Sequence, residues 1–261
     1  MAVLKLLSLA SASALLMADA VHQSEKQAPL TARAQSSTYT VNLGGTAVCL
    51  AEINEAREAA GLAHFKVATE EEHMLPKAKT EEQHNTAWNP VCEALIKEDE
   101  EQAEKSTSAN GFKSGTYAYM ALQSATPDCA AAVSHWKDAV NNFTTIPPAK
   151  DEHTKLYEKQ QNISFVAMYN PSNDAAADCR VVTCTQTAAP DPPTDELRNA
   201  GEGKTGYALL CMTTPEALKA DAAPFDEEQW KKIKASITGS ASAVAPSLLA
   251  VGIAAVGLLA L

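Results

Sequence analysis

Apolar residues crowd both ends of the chain, and between the ends they fall into spaced patterns that mark separate elements. Residues 1–20, MAVLKLLSLASASALLMADA, join Lys5 to an apolar stretch from Leu6 to Met17 and close on Ala18-Asp19-Ala20. A short positive segment, an apolar core and a small-x-small triplet predict a secretory signal peptide rather than a membrane span. At the other end the last charge is Lys234, and small residues lead from there to LLAVGIAAVGLLAL, ending at Leu261. A stop-transfer anchor needs about 20 apolar residues followed by positive charge. A shorter apolar tail with nothing polar after it predicts a removed GPI-attachment signal over 239–261, with Gly239 or Ser240 as the attachment residue.

The interior is patterned differently. Residues 21–38 are polar and aperiodic, a flexible leader to an ectodomain at 39–238. Val48, Leu50, Ile53, Arg57 and Ala60 step around one side of a helix that Gly61 stops. Trp88, Val91, Cys92, Leu95, Ile96 and Ala103 follow a 3.6 period, with Glu98, Glu100, Glu101 and Glu104 on the opposite face. A third helix is expected to open with Thr126 as N-cap and Pro127 in its first turn, then to carry Cys129, Val133, Trp136 and Val140. A short polar helix follows at about 150–160. The character then turns to strands: Ile163–Tyr169, Cys179–Thr185 and Gly206–Met212, with a turn at 170–174. Asp226 caps a last helix holding Trp230, Ile233 and Ile237. Helices first and an antiparallel sheet later predict an α+β domain. Residues 62–82, 106–114 and 186–206 read as long polar loops, where binding residues concentrate.

Composition narrows the chemistry. The chain of 261 residues carries a net charge of −11, which excludes nucleic acid as a main partner and favours basic surfaces over polyanions. In an oxidising compartment Cys49, Cys92, Cys129, Cys179, Cys184 and Cys211 form three disulfides, and six cysteines allow 15 pairings. Cys184–Cys211 is the preferred pair, and closing its loop of about 28 residues would be worth roughly 3–4 kcal/mol in chain entropy; the other pairs are left open. Asn142 and Asn162 head N-glycosylation sequons. Glu70-Glu71-Glu72-His73 and Glu81-Glu82-Gln83-His84 place metal-ligating types in a charged loop, but a metal needs a fixed and supported geometry. Gly201-Glu-Gly-Lys-Thr205 lacks the leading glycine of a phosphate loop, having Arg198 there. No serine elbow or zinc pattern occurs, so no catalytic, cofactor-binding or metal residue is assigned.

The runs SFVAMYNPSNDAAADCRVVTCTQT at 164–187 and GYALLCMTTPEAL at 206–218, the segment CLAEINEAREAAGL and the six-cysteine layout resemble the surface antigen family of Eimeria parasites. The resemblance implies a GPI-linked, non-enzymatic protein of an apicomplexan cell surface that attaches to host-cell molecules and meets host antibodies. That family in turn resembles the CAP superfamily, which implies a three-layer α-β-α sandwich and, as an alternative function, lipid or sterol binding. Thr116 and Ala139 stand where CAP domains often carry glutamates, and Leu156-Tyr157-Glu158-Lys159 replaces their His-Tyr-Thr-Gln motif, so no functional residue carries over.

Overall fold

The computed structural model describes residues 38–78, 87–96, 112, 114–187 and 204–239. In chain order its elements are β1 (Thr38–Leu43), α1 (Leu50–Ala59), β2 (Lys66–Val67), α2 (Asn89–Ile96), β3 (Thr116–Leu122), α3 (Cys129–Asp138), α4 (Gln160–Met168), β4 (Ala176–Thr187), β5 (Thr205–Thr214) and α5 (Glu227–Gly239). Short 3-10 turns occupy Glu71–His73, Ala139–Asn142 and Thr154–Glu158. The expected signal peptide, most of the expected leader and the tail from Ser240 onward lie outside the described residues.

β4 and β5 form the centre of the sheet because both of their faces are buried. The run Ala208-Leu209-Leu210-Cys211-Met212 is at most 3% exposed, a continuous apolar stretch of the kind a two-sided strand requires. The strands run antiparallel in the order β1-β4-β5-β3, and β2 adds a short parallel pairing to the start of β4. Strand alternation then sorts the side chains into two layers. Cys179, Leu209, Cys211 and Ala118 face a large core built with α1, α3, α4 and α5. Val182, Cys184, Leu210 and Met212 face a smaller one under α2, with Trp88, Val91 and Leu75. The result is an antiparallel α+β sheet flanked by helices on both faces.

The same alternation corrects the preferred disulfide. Cys184 lies opposite Gly206 and points toward α2, whereas Cys211 lies opposite Cys179 and points into the large core. Side chains on opposite faces of adjacent strands cannot meet, so a Cys184–Cys211 bridge does not form. The bridges are instead Cys49–Cys129, tying the starts of α1 and α3; Cys92–Cys184, tying α2 to the sheet; and Cys179–Cys211, across the central strand pair.

Three local expectations also change. Ile163–Tyr169 is expected as a strand, yet Gln160–Met168 is helix α4. Seven of its residues are buried, so its apolar run shows no helical period to read. The cap of α3 is Asp128, whose carboxylate accepts from Ala131 N at 2.9 Å, and Thr126 and Pro127 precede the helix. Residues 38–43 and 116–122 form strands, with the first beginning one residue inside the expected leader. By contrast Asp226 caps α5 as expected: its Oδ1 accepts from Gln229 N at 2.7 Å, and Gln229 Oε1 accepts from Asp226 N at 3.0 Å. Gly61, with φ of +71°, ends the α1 segment in the left-handed region that favours glycine.

β3 is an edge strand among the described residues, and part of its outer backbone is occupied. Gln160 Nε2 donates to Tyr117 O at 2.8 Å, Tyr119 N donates to Ser164 Oγ at 2.9 Å, and Trp136 Nε1 donates to Tyr119 O at 2.9 Å. Three side chains from α3 and α4 thus satisfy groups that would otherwise recruit another strand.

Candidate functional site

The positions singled out for enzyme-like chemistry are scaffold positions. Thr116 is buried, and its Oγ1 accepts from Ala217 N at 2.8 Å and Leu218 N at 3.2 Å, holding the turn after β5. Ala139 is fully buried in the 3-10 turn after α3. Tyr157 donates to Pro148 O at 2.6 Å, and burial pushes its hydroxyl above the ordinary tyrosine range. His64 lies 3.1 Å from Glu58 on the surface, and His153 is exposed. His22 and His84 fall outside the described residues, as do Glu81 and Glu82.

Glu70, Glu72 and His73 do come together, with ligand atoms within 4.8 Å of one another. Glu70 and Glu72 are exposed, and Glu70 Oε2 lies 3.7 Å from His73 Nδ1. No buried donor fixes this set, so it has the character of a solvated acidic turn.

The two sequons take opposite roles from those expected of surface acceptors. Asn162 is fully buried on α4; its Nδ2 donates to Leu156 O at 2.6 Å and its Oδ1 accepts from Asn142 Nδ2 at 2.7 Å. A glycan on Asn162 is incompatible with this packing, which corrects the expectation for that residue. Asn142 is half-buried and commits its own amide to Asn162.

The candidate loops spring from rigid mounts. In the first, Lys66 pairs with Asp174 at 2.8 Å, and Leu75 N donates to the buried Asp178 Oδ2 at 2.8 Å. Arg180 Nε bridges both oxygens of the same carboxylate at 2.8 and 3.0 Å. The β4–β5 loop is closed at its mouth by Gln186 N donating to Lys204 O at 2.8 Å. Beside that mouth, a Cβ added at Gly206 would lie 2.7 Å from Leu95 Cγ and 3.0 Å from Leu95 O. Only glycine lets α2 approach so closely there. The middles of loops 106–114 and 186–206 lie outside the described residues, while Phe112 packs on Trp88 and Tyr117 at ring separations of 4.8 and 5.4 Å.

On the opposite face, α1 and α3 enclose an open groove of about 320 Å³. Glu52 and Glu55 stand on the α1 wall, Ser134 and Lys137 on the α3 wall, and buried Ala56 and Val133 form its floor. The Cys49–Cys129 bridge, with Cα atoms 5.0 Å apart, ties the two walls together at one end. Sequence reading passed over Glu52, Glu55 and Lys137, because charges on an exposed helix face carry no signal until a second helix stands beside them.

The model of the sporozoite surface antigen (SAG) protein domain family matches residues 45–252. A curated relative, the sporulated oocyst TA4 antigen of Eimeria tenella, is 30% identical over 246 residues, which is 88% of this chain and 91% of the relative. No solved structure matches.

Proposed function

Because the chain belongs to the sporozoite surface antigen family, and is a parasite surface antigen in that sense, we propose that it is a GPI-tethered, non-enzymatic display domain that attaches to host cells and is met by host antibodies. Family membership is the observation that carries this reading. The fold supports it physically. Three disulfides and a two-sided sheet hold a rigid body on which polar loops are mounted, a design that lets loops vary without cost to the core. The greasy ends of the sequence supply export and a lipid tether. We extend to the architecture the CAP-like reading, supported by helices on both faces of an antiparallel sheet. The lipid-carrier alternative receives no support from the α1–α3 groove, whose walls carry Glu52, Glu55 and Lys137.

Two measurements test the proposal. Phosphatidylinositol-specific phospholipase C should release the protein from intact parasites; retention after treatment overturns the tether. Recombinant ectodomain should bind host cells saturably, and binding no stronger than that of an unrelated acidic protein overturns attachment.

A further inference from the structure

We propose that the groove between α1 and α3 is a docking point for a basic side chain that has an acidic neighbour, carried by a protein of the host surface. The host partner rests on the attachment reading above; the groove's ligand chemistry does not. Size sets the first limit. At about 320 Å³ the open groove lies at the lower end of ligand pockets, room enough for one long side chain.

Charge sets the second limit. Some surface carboxylates have cations, as in Glu228–Lys232 at 2.8 Å and Glu71–Lys77 at 3.3 Å, while others such as Asp151 and Glu227, which do not line the groove, stand alone among the described residues. Among the described residues Glu52 and Glu55 have no such partner, and Lys137 has no carboxylate. The groove therefore presents an acidic wall, an apolar floor at Ala56 and Val133, and a cationic rim at Lys137. An arginine or lysine stem covers the floor while its head meets Glu52 and Glu55, and an adjoining carboxylate meets Lys137. A plain polycation gains the first contact and is repelled at the second. The net charge of −11 draws basic partners toward the molecule at long range. The disulfide across the end of the groove fixes the spacing of its two walls there.

The test uses labelled ectodomain titrated with two blocked peptides, one with adjacent arginine and glutamate and one of four arginines. Amide shifts from the first peptide should concentrate on residues 52–56 and 130–137. Glu52→Gln with Glu55→Gln should weaken that binding at least tenfold, and Lys137→Gln should weaken the arginine–glutamate peptide but not the tetra-arginine. All three side chains are at least partly exposed, so an unchanged amide spectrum will verify that the variants fold. Shifts spread equally over Glu70 and Glu72, or binding indifferent to the double variant, overturn the groove assignment. Host-cell binding separates the two proposals. Equal cell binding by wild type and double variant overturns the docking role while attachment stands. No cell binding by wild type, with peptide shifts still confined to the groove, overturns attachment and leaves the ligand chemistry.

Discussion

Replacing Arg57 by methionine sets the burial cost of a charge against the hydrogen bonds that the charge supplies. Arg57 is fully buried, with its Nε donating to Ala63 O at 2.8 Å and its Nη1 to Met168 O at 2.9 Å and Asn170 O at 2.8 Å. Its guanidinium carbon sits 3.7 Å from the centroid of Phe65. Desolvation lowers its pKa from 12.5 to about 10, a burial cost of about 3 kcal/mol at 1.36 kcal/mol per unit. Three hydrogen bonds from a charged donor contribute about 1.5–3 kcal/mol each, so together they outweigh that cost. Met168 O and Asn170 O lie at the end of α4, where helix carbonyls lack partners of their own. Methionine recovers the desolvation but leaves the buried carbonyls of Met168 and Asn170, and the part-buried one of Ala63, without this donor. The expected net loss, three bonds less the recovered desolvation, is about 1.5–6 kcal/mol, which for a domain of this size lowers Tm by roughly 3–24 °C. Differential scanning calorimetry of the ectodomain reads this directly, and hydrogen exchange should rise first around residues 168–170. Arg57→Lys, retaining the charge but not the fork, should fall between wild type and methionine. Stability equal to or above wild type for Arg57→Met would show that burial cost dominates, and would refute the reasoning.

Three further outcomes follow from particular contacts. Gly206→Ala should cost about 1–3 kcal/mol in a denaturant titration, because the new methyl meets the Leu95 backbone as well as its side chain. Removing Cys92–Cys184 by double substitution to serine should cost up to about 4–5 kcal/mol in the chain-entropy model, since the bridge spans a separation of 92 residues; the drop in midpoint should exceed that from the Cys179–Cys211 pair, separated by 32. Alkaline pH should unfold the domain. Burial raises the hydroxyl pKa of Tyr119 and Tyr169 to about 12 and moves Tyr117 and Tyr157 upward too. The folded chain then holds more protons than the unfolded one above pH 10, so stability present below pH 10 is lost as pH rises toward 12. Arg57 opposes this in the same interval, because its folded form releases a proton first, but four groups act against one. Absorbance at 295 nm should therefore show delayed tyrosine ionisation coinciding with loss of the fold, and simple early ionisation of all tyrosines would contradict it.

What the sequence revealed depended on whether a signal was local. The Asp226 cap and the Gly61 stop were legible because each is decided by a few neighbouring residues and a backbone angle. α4 was not, because it is buried nearly all round and its Ile163, Phe165 and Val166 have strand-like propensities that packing overrides. β3 was hidden for the converse reason: its TYAYMAL pattern is mild, and the strand is held at its edge by Gln160, Ser164 and Trp136 from other elements. Disulfide pairing required strand parity and register together. Sequence offered Cys184–Cys211 with nothing to decide its parity, yet a register that places Cys179 opposite Cys211 sends Cys184 to the other layer, where Cys92 waits on α2. The same logic governs the recognition surface. Glu52 and Lys137 are ordinary helix charges in one dimension, and they acquire a shared ligand chemistry only because the Cys49–Cys129 bridge brings the starts of α1 and α3 together. A cysteine pair that sequence can announce but not connect is thus the element that sets the geometry of the groove.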